Sequence, residues 1–121
     1  MNRDMDLARR ILHEVEKAPF DGGWVRFTIP DVPDDDVQYH LLLLWEAGLI
    51  DARDMSSNDG PRYAPLRLTW HGHEFLDAAR NDSLWVKAKD IVLKQGGAMT
   101  FEVLHVVLKR LVLQAIHIPS I

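Results

Sequence analysis

The chain has 121 residues, 47% hydrophobic and 26% charged, with no cysteine and a formal net charge of −4 at pH 7. That is the size and composition of one globular domain able to bury a core unaided, and the missing cysteine excludes a disulfide framework, a thiolate metal site and a cysteine nucleophile. Charge is uneven: from Asp21 to Asp51 the acids Asp21, Asp31, Asp34, Asp35, Asp36, Glu46 and Asp51 face a single base, Arg26, a balance that opposes phosphate binding.

Asp4 to Lys17 carries Leu7, Ile11, Leu12 and Val15 at helical spacing, with acids early and bases late, as the helix dipole favours. Its opening residues are charged where a signal peptide needs an apolar run, and no segment approaches the ~20 apolar residues of a membrane span. A soluble, cytoplasmic protein is expected. Ala18 to Gly23 breaks the helix, and Trp24 to Ile29 alternates as a short strand does. Pro30 and Pro33 bracket a turn, after which Asp34 or Asp35 is expected to cap a helix whose buried face is Val37, Leu41 and Leu44 and whose C-terminal stop is Gly48. Leu49 and Ile50 begin a strand, Asp54 to Tyr63 forms a turn-rich hairpin tip, and Pro65 to Leu68 is the returning strand.

Thr69 starts the next helix, with Phe75, Leu76 and Ala79 inward and Asn81-Asp-Ser83 ending it. A further helix runs from Leu84 or Trp85 to Lys94 and stops at Gly96 and Gly97; the last begins at its cap, Thr100, and reaches about Ile116. Val103, Leu104, Val106, Val107, Leu108, Leu111, Val112, Leu113 and Ile116 surround nearly all of this helix, so it is expected either inside the domain or against a second chain. The fold expected is α+β: a winged helix-turn-helix with a short three-stranded sheet and additional C-terminal helices, in one domain over 1–121, with the core in 1–80 and a helical extension in 84–121.

The segments Arg3-Asp-Met-Asp-Leu7, Tyr39-His-Leu41, Glu46-Ala-Gly-Leu-Ile50 and, most specifically, Leu68-Thr-Trp-His-Gly-His-Glu-Phe-Leu-Asp77 carry a resemblance. The chain resembles the domain-of-unknown-function family 2513, small proteins of bacteria and their phages. The resemblance runs from the first helix to the helix at Leu84 and Trp85; it implies a winged-helix fold and a bacterial or phage origin, and it carries over no catalytic, cofactor or metal residue.

Two functions are open. A DNA-binding regulator would read bases with the helix over 37–47, using Gln38, Tyr39 and His40, and would hold phosphate with the hairpin arginines Arg53, Arg62 and Arg67. A protein-interaction module would instead use the apolar outer positions Tyr39, Leu42 and Trp45, with Val107 and Leu111 of the last helix joining a partner or a second copy. The acidic setting and the tryptophan favour the module, expected as a homodimer through the C-terminal helix. His71-Gly-His-Glu74 with Asp77 is not expected to bind metal, because His71 and His73, two apart, diverge on a helix. With no phosphate loop and no nucleophile elbow, no enzyme, cofactor or small-molecule substrate is expected.

Overall fold

The computed structural model describes residues 2–116; the expectations that concern residues 117–121 lie outside them. The architecture is α+β. Among the described residues there are five helices and one two-stranded antiparallel sheet, in the order α1 (Met5–Lys17), α2 (Asp34–Glu46), β1 (Ile50–Asp54), β2 (Tyr63–Leu68), α3 (Trp70–Ala78), α4 (Asp82–Lys94) and α5 (Phe101–Ile116). None of these helices is long and apolar enough to cross a membrane. Contacts divide the chain into two units, one ending at Glu74 and the other beginning at Phe75. The division falls inside α3, earlier than the boundary between 80 and 84 expected from the pattern of helices and breakers.

In the first unit, Asp4 caps α1 by accepting from the backbone N–H groups of Asp6 and Leu7 at 3.0 and 3.1 Å. Met5, Leu7, Ala8, Ile11, Leu12 and Val15 form the buried face of that helix. Capping of α2 differs from expectation. Pro33 takes the cap position and no side chain bonds there, so Asp34, Asp35 and Asp36 all fall in the first turn, where they act through the helix dipole. At the other end Gly48 has φ 75°; its N–H donates to Trp45 O and the Leu49 N–H to Leu44 O, the paired bonds of a Schellman stop.

That stop is fastened to the start of α3. Leu49 O accepts from Thr69 N at 3.0 Å, while the Thr69 hydroxyl donates to Gly48 O at 2.6 Å and accepts from Gly72 N at 3.0 Å. A Cβ on Gly72 would lie 2.0 Å from Leu49 O, so only glycine permits this approach. Thr69 is therefore the helix cap that the sequence suggests, and also a bridge to the end of α2.

The hairpin pairs Ile50 with Leu68 and Asp51 with Arg67; the register then shifts so that Ala52 faces Pro65, Arg53 faces Ala64 and Asp54 faces Tyr63. Leu66 is thereby left without an opposite residue, as in a β-bulge. At the tip Ser57 and Gly60 bond each other through both backbone groups. The Asp54 carboxylate accepts from Ser56 N at 2.9 Å, and the Ser56 hydroxyl, then its backbone N–H, hold Asp54 below the ordinary carboxylate range.

The expected third strand does not form. Trp24 to Ile29 has no strand geometry and makes one ladder-like bond, Val25 N to Pro65 O at 2.7 Å. In an extended strand the N–H and C=O of one residue point to the same side. Pro65 thus offers its carbonyl to this segment but has no N–H to return the bond, and the pairing stops there. Alternation persists without the ladder: Val25 and Phe27 are half-buried and Ile29 is buried, while Trp24, Arg26 and Thr28 are exposed.

The second unit is built on Phe75, whose fully buried ring meets Trp85, Phe101 and His105 edge-on at 6.3, 5.2 and 5.7 Å between centroids. This cluster explains why the division precedes Phe75. Asn81 caps α4 through Leu84 N at 3.0 Å, so that the helix begins at Asp82, two residues before Leu84 and three before Trp85, and Gly96 at φ 71° closes α4 with a second Schellman pair, Gly96 N to Leu93 O and Gly97 N to Val92 O. Thr100 caps α5 through Val103 N at 3.1 Å.

Gly72→Ala is expected to lower stability by about 3 kcal/mol, because the contact is with backbone and cannot be relieved by a rotamer change. Gly97→Ala, whose nearest neighbour is a valine methyl at 3.4 Å, should stay within about 0.5 kcal/mol. Urea denaturation of both variants measures the contrast.

Candidate functional site

The polar residues of α2 that would read bases turn into the fold. Gln38 is buried, and its side-chain oxygen accepts the Tyr63 N–H at 2.7 Å, tying α2 to the start of β2. His40 is 3% exposed. Its Nε2 accepts from Asp4 N at 2.8 Å and its Nδ1 lies 2.7 Å from Asp36 O. A backbone N–H can only donate and a carbonyl can only accept, so the ring is neutral in this arrangement, with its proton on Nδ1. His40 therefore joins the N-terminus of α1 to the first turn of α2, and neither residue is presented outward.

The apolar candidates on α2 are partly covered. Tyr39, Leu42 and Trp45 are half-buried; Tyr39 lies edge-on to His40 at 5.8 Å, and Trp45 lies 6.2 Å from the Tyr63 ring. Of the hairpin arginines, Arg62 bonds Asp34 at 2.8 Å and Arg67 bonds Asp51 at 2.6 Å. Arg67 also donates to Leu68 O at 3.0 Å. Exposed pairs of this kind are worth only about 0–1 kcal/mol, so the bonds alone would not keep a phosphate away. What opposes phosphate is their setting: Asp34 is the first of three consecutive aspartates, and Asp51 lies on β1 opposite Arg67 itself. Arg53 is exposed and lines a depression of about 310 Å³ with Trp24, Met55 and Leu66.

The most accessible aromatic surface lies elsewhere in the first unit. Phe20 is 82% exposed and Trp70 80% exposed, and both line a groove of about 430 Å³ whose other walls include Val15, Pro19, Leu66, Leu68, Arg67 and His73. The bulge residue Leu66 borders this groove and the smaller depression beside Met55 alike. Neither aromatic was among the residues singled out from the sequence. Trp70 was open to detection: buried positions Gly72, Phe75, Leu76 and Ala79 define the inner side of α3, and helical spacing of 100° per residue leaves Trp70 outside it. Phe20, in the breaker segment 18–23, has no periodic signal.

In the second unit the all-round apolar helix α5 divides into two stripes. Leu104, His105, Leu108 and Leu111 are buried, with α4 as their neighbour in the unit. Leu111, expected at an interface, is thus internal and Val107 is half-buried. The exposed stripe is Val103, Val106, Leu113 and Ile116.

Replacing Gln38 by methionine keeps the bulk of the side chain and leaves the Tyr63 N–H without its acceptor, a loss expected to cost about 1–3 kcal/mol. Asp34→Ala, which removes an exposed ion pair, should change stability by at most about 1 kcal/mol. Thermal or urea unfolding separates the two; a base-reading glutamine on a free surface would be silent in the same measurement.

Comparison with known proteins agrees with the resemblance drawn from the Leu68 to Asp77 run. The family model described as hypothetical protein (DUF2513) matches residues 2–98. A protein of Haemophilus influenzae (strain ATCC 51907 / DSM 11121 / KW20 / Rd), named only as an uncharacterized protein, is 38% identical over 96 residues, which cover 76% of this chain and 79% of the relative. No solved structure matches. The matched span takes in α1, α2, the hairpin, α3 and α4, and on it the chain belongs to the DUF2513 family.

Proposed function

We propose that the protein is a non-enzymatic winged-helix protein of bacterial or phage origin that works as a protein-interaction module. The order α1, extended segment, α2, glycine stop and hairpin supports the winged-helix part of this reading, with the hairpin as the wing. The interaction part is carried by one observation, the Phe20–Trp70 groove. Large aromatics standing four-fifths exposed in the lining of one depression are the side chains that anchor protein interfaces, since each removes a large apolar area from water when a partner covers it. At ~25 cal/mol per Å² such rings contribute several kcal/mol together once buried.

The competing reading, a DNA-binding regulator, needs the α2 positions Gln38 and His40 outward and Arg62 and Arg67 available to phosphate. Those side chains bond within the first unit instead, so the groove and not α2 is the surface on which the reading rests. The chemistry expected of the site is recognition alone, with binding energy drawn from apolar burial and orientation drawn from Arg67 and His73 at its rim.

The test is a pull-down from bacterial lysate, with and without nuclease, using the wild type and a Phe20→Ala/Trp70→Ala variant, beside a mobility-shift assay with random DNA at two salt concentrations. The reading expects a nuclease-resistant partner whose capture falls at least ten-fold in the variant while the melting temperature is unchanged. A DNA shift that weakens steeply with salt, equal in both proteins, would favour the regulator.

A further inference from the structure

The exposed stripe of α5 is a second surface, in the other unit, and its chemistry is more specific. Val103, Val106, Leu113 and Ile116 are spaced i, i+3, i+10 and i+13 and fall within one side of a helix. Val106 is 53% exposed and Leu113 56%. Lys109 and Arg110 occupy the middle of the same side, both exposed. Two other cations of this unit are held by acids, Arg80 by Asp77 and Lys94 by Asp90, and Lys89 lies over the Trp85 ring, whereas no acidic group pairs with Lys109 or Arg110 among the described residues. The stripe thus carries its apolar residues toward both ends and its two cations at the centre, with one acid, Glu102, exposed on the same side beside Val103.

The charge of the two units sharpens this. Up to Glu74 there are eight basic and fourteen acidic residues, and from Phe75 onward six basic and four acidic. The positive balance of the second unit belongs to a chain that is otherwise acidic, and α5 supplies two of its cations next to its exposed valines. A second copy is a poor occupant. With Lys109 and Arg110 at the midpoint, α5 packed on α5 of another copy, parallel or antiparallel, gathers four cations at the centre of the interface, and like charges brought together in a desolvated seam cost binding energy.

We infer that this face docks an amphipathic helix of another protein whose flank is acidic: apolar residues at heptad spacing cover Val103, Val106, Leu113 and Ile116, and glutamates or aspartates meet Lys109 and Arg110. The stripe is about 20 Å long at 1.5 Å per residue, so the matching partner segment has about fourteen residues. The inference shares the protein-interaction reading but uses neither Phe20 nor Trp70, so the two fail separately.

The experiment is fluorescence anisotropy of the full chain with two labelled sixteen-residue peptides of about four turns, each with leucines at heptad spacing, one flanked by glutamates and the other by lysines at the same positions. The acidic peptide is expected to bind at least ten-fold more tightly. Lys109→Glu/Arg110→Glu should invert the preference, Val106→Glu/Leu113→Glu should abolish binding of the acidic peptide with far-UV circular dichroism unchanged, and Phe20→Ala/Trp70→Ala should leave it intact. Equal affinity for the two peptides, no binding of either, or a preference unchanged by the charge reversal would overturn the inference. So would a homodimer in sedimentation velocity that Val106→Glu/Leu113→Glu dissociates, because the stripe would then be occupied by a second copy.

Discussion

The first unit depends on one close approach, that of the Gly72 backbone to the carbonyl of Leu49. The Leu49 carbonyl accepts from Thr69 N while the Thr69 hydroxyl spans from Gly48 O to Gly72 N, so the end of α2, the start of β1 and the start of α3 are held within one small network. Two residues make it possible: Gly48, because the stop of α2 needs a left-handed backbone, and Gly72, because a methyl group would collide with Leu49 O. Fixing that junction fixes the entry into β1, and with it the pairing of Ile50 with Leu68 that begins the hairpin. Each bond is worth only about 1 kcal/mol net, but leaving the carbonyl of the buried Leu49 without a partner costs more than the bond contributes.

From the junction follows the fate of α2. Once its C-terminal end is tied to α3 and its flank to the hairpin, Gln38 meets Tyr63 and His40 meets Asp4, and the polar groups that a major-groove helix would display become internal fasteners. What remains outside on that side is an acidic first turn and half-buried aromatics. The accessible apolar surface collects instead where local packing runs out: at Phe20 and Trp70, which line one groove in the first unit, and along one stripe of α5 in the second. We propose both for partner recognition by burial, with electrostatics setting which partner fits.

Much of the fold was legible because its signals are local. Thr69, Thr100, Gly48 and Gly96 mark helix ends by rules that span three or four residues, and the hairpin announced itself through the polar run from Asp54 to Tyr63. The features that escaped are set by distant residues. Trp24 to Ile29 alternates as a strand should, yet whether it pairs was decided by Pro65, some forty residues on by the chain numbering. Gln38 and His40 sit on α2 where helical spacing alone leaves them available; their partners are 25 and 36 residues away in sequence. Asp34 and Asp35 have the character of caps, but Pro33 takes the cap position, one residue before Asp34 and two before Asp35. On α5 the pattern allows burial in the domain or contact with a second chain; one side of the helix is buried and the opposite side exposed, so that Leu111 is inside and Val106 outside.

α2 commits Gln38 and His40 to the fold, and amide hydrogen exchange at Tyr63 and Asp4 tests this most directly. If Gln38 and His40 accept from these N–H groups, both amides exchange slowly, and Gln38→Met releases the Tyr63 amide while Asp4 stays protected. If both amides exchange at the rate of an open loop in the wild type, the two side chains are free to face outward, and the reading of α2 as an internal element is wrong.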